Sequence, residues 1–190
     1  MINVAVFVSG GGTNCENIIK YFQGNGQIRI ALVLSNKADA PAVGKARRLG
    51  VPVEVLPRAE FNDGARLLPL MDAYDIDFIV LAGFLLVEYP RRIINLHPAL
   101  LPKFGGIGMY GHHVHEAVKA AGESETGMTV HWVSPEVDGG EIIARFSTPL
   151  DPSDTPEDIA AKEHVLEMEH FPKVVEDTIV ERFKLDRKAF

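Results

Sequence analysis

Ile93-Ile94-Asn95-Leu96-His97-Pro98-Ala99-Leu100-Leu101-Pro102-Lys103 is the stretch on which the reading of this chain turns. Ile93 to Leu96 are apolar or β-branched around one amide, the pattern of a short buried strand. Side chains two apart on a strand point the same way, so Asn95 and His97 project together. Pro98 has no N–H for a ladder, which stops pairing there and leaves both polar groups at the strand's carboxyl end. Open α/β sheets hold their ligands at that end. Taken alone, the pair also fits a polar strand end that merely satisfies loop backbone.

Working back to the amino terminus, Ile2 to Val8 is a continuous apolar run, as in a strand covered on both faces. Ser9-Gly-Gly-Gly-Thr-Asn14 follows, then a helix through Cys15 to Phe22. Strand, glycine loop and helix amino end favour a bound anion. The loop lacks the Gly-Lys-Ser/Thr ending of a nucleotide P-loop. It has Cys15 where the dinucleotide fingerprint needs its third glycine. The second strand, Ile28 to Leu34, runs into Ser35-Asn36-Lys37, without an acid for a nicotinamide ribose. A phosphorylated small molecule, or a plain glycine turn, remains. Further strands are predicted at Val51 to Leu56, Ile76 to Leu81 and Ile93 to Leu96, with helices between, the first of them capped by Asp39. That alternation gives a parallel, Rossmann-like half.

Beyond Lys103, a glycine-rich run to Gly111 leads into a helix from His112 to Ala121. Glu125 to Val133 and Glu141 to Leu150 read as a hairpin, which adds antiparallel strands. Thr155-Pro-Glu-Asp158 opens a helix to His170, with Pro172 expected to interrupt it before a last helix to Phe183. The fold class is α/β, an open mixed sheet in one domain over residues 1–190.

Composition limits the function. Against 19 Lys and Arg stand 26 Asp and Glu, a net charge of −7, and no basic run marks a nucleic-acid surface. One cysteine excludes an internal disulfide framework, and no stretch has membrane-spanning length. Met1-Ile-Asn-Val begins in a strand without a signal-like segment, which predicts a cytoplasmic protein, monomer or homodimer, without membrane or nucleic-acid partners. His112, His113 and His115 lack a Cys or Glu at a familiar metal spacing, so no metal is expected.

Asp138, between Val137 and two glycines, has access to backbone donors or to a histidine. Paired with His97 it would raise the imidazole pKa and fix the ring. An amide at Asn95 beside that ring would make a site for an oxyanion. With no nucleophile in these segments, direct acyl transfer is the natural chemistry.

These segments together with Ser35-Asn-Lys-Ala-Asp39, Leu81-Ala-Gly-Phe84 and Gly127-Met-Thr-Val-His131 resemble the phosphoribosylglycinamide formyltransferases, folate-dependent enzymes of purine synthesis. The resemblance covers nearly the whole chain. It implies metal-free transfer of a formyl group from the co-substrate 10-formyltetrahydrofolate to the amine of phosphoribosylglycinamide. Position by position, it implies a catalytic trio of Asn95, His97 and Asp138. It implies a phosphate loop of Gly12, Thr13 and Asn14, and ribosyl contacts at His164 and Glu167. It implies a folate pocket from Leu85, Leu86, Val87, Glu88, Asn95, Ser134, Pro135, Glu136, Val137 and Asp138. The chain departs from the family in one place that matters, since only ten residues, Leu85 to Ile94, separate Phe84 from Asn95, where a loop and a fuller helix are expected, and Phe104 to Gly111 is longer than in many relatives.

The nearest alternative by resemblance is formyltetrahydrofolate deformylase, disfavoured because the chain starts at its first strand. Methionyl-tRNA formyltransferase is disfavoured by the acidic charge and by the missing carboxyl-terminal tRNA domain. A non-catalytic nucleotide-sugar binding module would have no use for Asn95, His97 and Asp138 together.

Overall fold

The computed structural model describes residues 1–61, 65–85 and 92–188. Seven strands form one sheet in the order β3-β2-β1-β4-β5-β6-β7. Cα packing divides the chain into two compact units, residues 1–94 and 95–190.

In the first unit, β1 (Ile2–Val8) pairs in parallel with β2 (Ile28–Ser35) and β4 (Phe78–Leu81), and β2 pairs in parallel with β3 (Val53–Val55). Every residue of β1 and β4 is buried. That accounts for their unbroken apolar runs: a parallel strand covered on both faces has no polar side to show. Helices α1 (Thr13–Phe22), α2 (Pro41–Arg48) and α3 (Leu67–Ala73) follow β1, β2 and β3. Phe7, Phe61 and Phe84 form an aromatic cluster with ring centroids 5.0 to 6.1 Å apart. The helix after β2 starts at Pro41 with Ala40 in the cap position and no side-chain cap. Asp39 is therefore not its cap, because the proline occupies the first helical position and sets the start one residue later.

Strand β5 (Arg92–His97), whose last three residues belong to the second unit, ends where Pro98 removes the next donor. Helix α4 (His112–Ala120) follows, then the antiparallel pair β6 (Glu125–Trp132) and β7 (Ile142–Pro149). The chain ends in α5 (Pro156–Lys188). Thr155 and Asp158 form its capping box: the Asp158 N–H donates to Thr155 Oγ1 at 3.2 Å and the Thr155 N–H to Asp158 Oδ2 at 2.9 Å. Pro172 lies inside α5 and does not end it. A proline costs one helix bond and about 3 kcal/mol, but Phe171, Val175 and Ile179 are fully buried on both sides of it, and their burial offsets that loss.

Candidate active site

The second unit gathers the polar residues of three segments. On β5, Asn95 and His97 point to one side as their spacing requires. His97 is 3% exposed. One ring nitrogen, Nε2, lies 2.7 Å from the Phe104 carbonyl, and the other, Nδ1, lies 3.4 Å from Asp138 Oδ2. Asp138 also accepts the Gly106 N–H at 3.0 Å. His97 and Asp138, 41 positions apart in the chain, are thus brought together.

Asp138 reaches this place by a left-handed backbone, φ 56°. It sits in the turn closed by the Gly139 N–H on the Glu136 carbonyl, 3.1 Å. The glycine pair after it is steric: a Cβ at Gly140 would stand 1.6 Å from the Trp132 carbonyl oxygen. The same loop carries Ser134, Pro135, Glu136 and Val137, with Ser134 Oγ donating to the Glu136 carbonyl at 2.9 Å.

His131 is the member that the sequence did not reveal. It is 2% exposed and stands between the other polar groups. Its Nε2 is 3.0 Å from Asn95 Nδ2 and 3.5 Å from Asp138 Oδ1, and its Nδ1 is 2.9 Å from the Trp132 carbonyl. A carbonyl accepts only, so Nδ1 carries a proton, and a neutral ring leaves Nε2 to accept from the Asn95 amide. Asn95 is then held with one N–H on His131 and its second N–H free to meet an oxyanion. The signal lay in the alternation of β6. Gly127, Thr129 and His131 share one face, and a Cβ at Gly127 would meet Leu100 at 2.7 Å. Buried Thr129 pins the segment after His97: its hydroxyl donates to the Ala99 carbonyl at 2.7 Å and accepts the Leu101 N–H at 3.0 Å. The pairing with β7 shifts register between Val130 and His131, where Ile143 of β7 is passed over.

Electrostatics correct one expectation. Burial lowers the His97 pKa more than the Asp138 carboxylate and the Phe104 carbonyl raise it, so the net shift is downward. Asp138 acts on His97 in the expected direction but does not prevail. The resting imidazole is neutral near pH 7. At Asp138 burial works upward, yet the adjacent His131 ring, the Gly106 N–H and the neighbouring His97 hold the carboxyl below its ordinary value. Asp138 is ionised.

Elsewhere in this unit, His164 and Glu167 meet on α5, Nδ1 to Oε2 at 2.9 Å. His112 pairs with Glu116 and Glu157, at 3.7 and 3.4 Å, and His113 with Glu116 at 3.3 Å, while His115 is buried. Among the described residues no cluster of three or more His, Cys, Asp or Glu could hold a metal ion.

The first unit holds the glycine loop. Gly12 takes the left-handed φ of 70° as the residue before α1, and a Cβ there would strike Ala42 Cβ at 2.4 Å. The first α1 bond runs from the Glu16 N–H to the Gly12 carbonyl. The N–H groups of Thr13 and Asn14 precede it, in the turn that has no intrahelical acceptors. Cys15 is buried and burial pushes its thiol up to about 12, so it serves as a core side chain. Leu85 is 48% exposed. Leu86, Val87 and Glu88 lie outside the described residues, as does most of the short segment before Asn95.

Comparison with known proteins agrees with this architecture. The sequence profile of the formyl transferase family matches residues 2–175. A chloroplastic phosphoribosylglycinamide formyltransferase of Arabidopsis thaliana is 41% identical over 95% of this chain, which spans 66% of that protein's length. The phosphoribosylglycinamide formyltransferase of Haemophilus influenzae is 35% identical, with 92% of this chain and 86% of that protein covered. A crystal structure of the Anaplasma phagocytophilum phosphoribosylglycinamide formyltransferase superposes with a TM-score of 0.82 at 32% identity, covering 92% of this chain and 85% of the other.

Proposed function

We infer the activity from one premise: the chain belongs to the formyl transferase family. It transfers a formyl group to the amine of phosphoribosylglycinamide in purine biosynthesis, the reaction for which its relatives are named. The family uses folate-derived formyl donors, and the donor here is 10-formyltetrahydrofolate. Residues 1–190 act as a single formyltransferase domain in the cytoplasm. In support of one domain, the family profile runs through both compact units.

The observation that carries the mechanism is a buried imidazole 3.4 Å from a carboxylate, with an anchored amide on the same strand. The amine lone pair attacks the formyl carbon and the carbonyl π pair moves onto oxygen. Asn95 donates its second N–H to that oxyanion. The nitrogen, now an ammonium, gives a proton to His97, directly or through a water held by Asp138. The imidazolium so formed is stabilised by Asp138 and offsets the oxyanion. Collapse of the intermediate expels the folate nitrogen, which takes the proton back. A resting imidazole that is already neutral suits this relay better than a permanently charged one.

Gly12, Thr13 and Asn14 hold the substrate phosphate through backbone N–H groups at the α1 amino end. His164 and Glu167 contact the ribosyl part. Leu85 to Glu88 and Ser134 to Asp138 hold the folate.

The decisive assay measures tetrahydrofolate release from 10-formyltetrahydrofolate with and without phosphoribosylglycinamide. Release that depends on the ribonucleotide is expected. Equal release without it would make the protein a hydrolase and overturn the assignment.

A further inference from the structure

Two acidic side chains of α5 stand where a helix ordinarily buries hydrocarbon. Ile159, Glu163, Glu167, Phe171, Val175 and Ile179 recur every four residues and all are buried. Glu163 is 2% exposed and Glu167 8%. Two carboxylates one turn apart repel, and neither can donate to the other unless one carries a proton. On one buried face and a single turn apart, they stand within reach of one shared proton. Glu167 also meets His164 Nδ1 at 2.9 Å, a second polar partner that Glu163 lacks, and Glu163 is the more deeply buried of the two, so the shared proton is placed on Glu163. Burial first, and then the charge of Glu167 and the bond to it, push the Glu163 carboxyl far above its ordinary range. Its Oε1 makes no hydrogen bond. A residue kept only for packing would be apolar here, since an apolar side chain leaves no buried oxygen without a partner.

We propose that Glu163 is a positioning residue for the ribosyl half of the substrate: its neutral carboxyl donates to Glu167 and fixes the Glu167 carboxylate to accept from the ribose hydroxyls. The proposal rests on the reading of Glu167 as a ribosyl contact. The chemistry is that of an acid–carboxylate pair in which one member keeps the proton so that the other keeps its charge and its direction.

The test compares Glu163→Gln, which keeps the shape and an N–H donor, with Glu163→Leu, which keeps the volume and has none. Glu167→Gln is run beside them, and thermal melts establish that each variant folds. Glu163→Leu raises KM for phosphoribosylglycinamide about tenfold, with kcat within about twofold, and Glu163→Gln restores the wild-type KM. Infrared spectra near pH 7 contain a protonated-carboxyl stretch in the wild type that both Glu163 variants lose. Wild-type KM in Glu163→Leu, where Glu167→Gln raises KM, overturns the positioning role alone. Wild-type KM in Glu167→Gln overturns the ribosyl reading of Glu167 and the positioning role with it. Absence of the carboxyl stretch from the wild type overturns the acid–carboxylate pair itself.

Discussion

Asp138 combines a costly backbone with a necessary charge. A non-glycine residue at φ 56° gives up about 1 kcal/mol, and in exchange its carboxylate reaches two buried histidines and a backbone N–H. Asparagine tolerates the same φ, so Asp138→Asn keeps the turn and removes the charge. Turnover should fall about 100- to 1000-fold while ribonucleotide affinity stays near wild type. Steady-state kinetics with separately measured binding checks this, and affinity lost in step with turnover would make Asp138 a binding residue. Because the net shift of His97 is downward, the wild-type kcat should fall on the acid side with a midpoint below about 6.5. Asp138 is the upward influence on His97, so Asp138→Asn should move that midpoint lower still. At Asn95, an aspartate would set a carboxylate against both the oxyanion and Asp138. Asn95→Asp should therefore lose turnover by a similar factor, and near wild-type rates would remove Asn95 from the mechanism. Asn95 and His97 were legible in the sequence because strand alternation and a following proline are local facts. His131 was not, since its role depends on Asn95, 36 residues earlier, and on the Trp132 carbonyl after it. The net direction at His97 was likewise hidden, because it is set by depth of burial.

Elements repeat this division. Strand–helix alternation foretold the parallel half, and the 134–140 loop foretold the β6–β7 hairpin, because short-range pattern decides both. The continuity of α5 through Pro172 was not foreseeable, since it depends on what Phe171, Val175 and Ile179 are buried against. Helix α1 offers a direct test of the glycine loop. Thr13 is its first residue, a position that accepts proline. Thr13→Pro should leave the helix in place, delete one N–H donor and weaken ribonucleotide binding while sparing folate binding. Titration calorimetry with each ligand tests this, and unchanged ribonucleotide affinity would locate the phosphate elsewhere. Helix α5 should also leave its mark on stability. The Glu163 carboxyl is raised to about 10, above its unfolded value, so the folded protein binds more protons between the two. Stability is then greatest at or below the unfolded carboxylate pKa and declines as pH rises, by no more than about 1.4 kcal/mol per pH unit. Glu163→Gln should flatten that decline. Melting temperatures of both proteins from about pH 5 to pH 9 compare the slopes, and parallel curves would refute the shift.

At the scale of the whole molecule, the order of the strands among the described residues ends at β3 on one side and at β7 on the other. They are guarded by different means. The first is only three residues long, too short to recruit a visiting strand. The second is eight residues, Ile142-Ile-Ala-Arg-Phe-Ser-Thr-Pro149, long enough to be a template. It is interrupted by exposed Arg145 and closed by Pro149, which has no N–H to offer. Replacing Arg145 with valine should turn this margin into an adhesive one, with the protein scattering light during refolding at concentrations where the parent stays clear. Unchanged scattering would mean that Pro149 alone suffices. On this view one exposed arginine keeps neighbouring copies of the chain from joining along this strand while they fold.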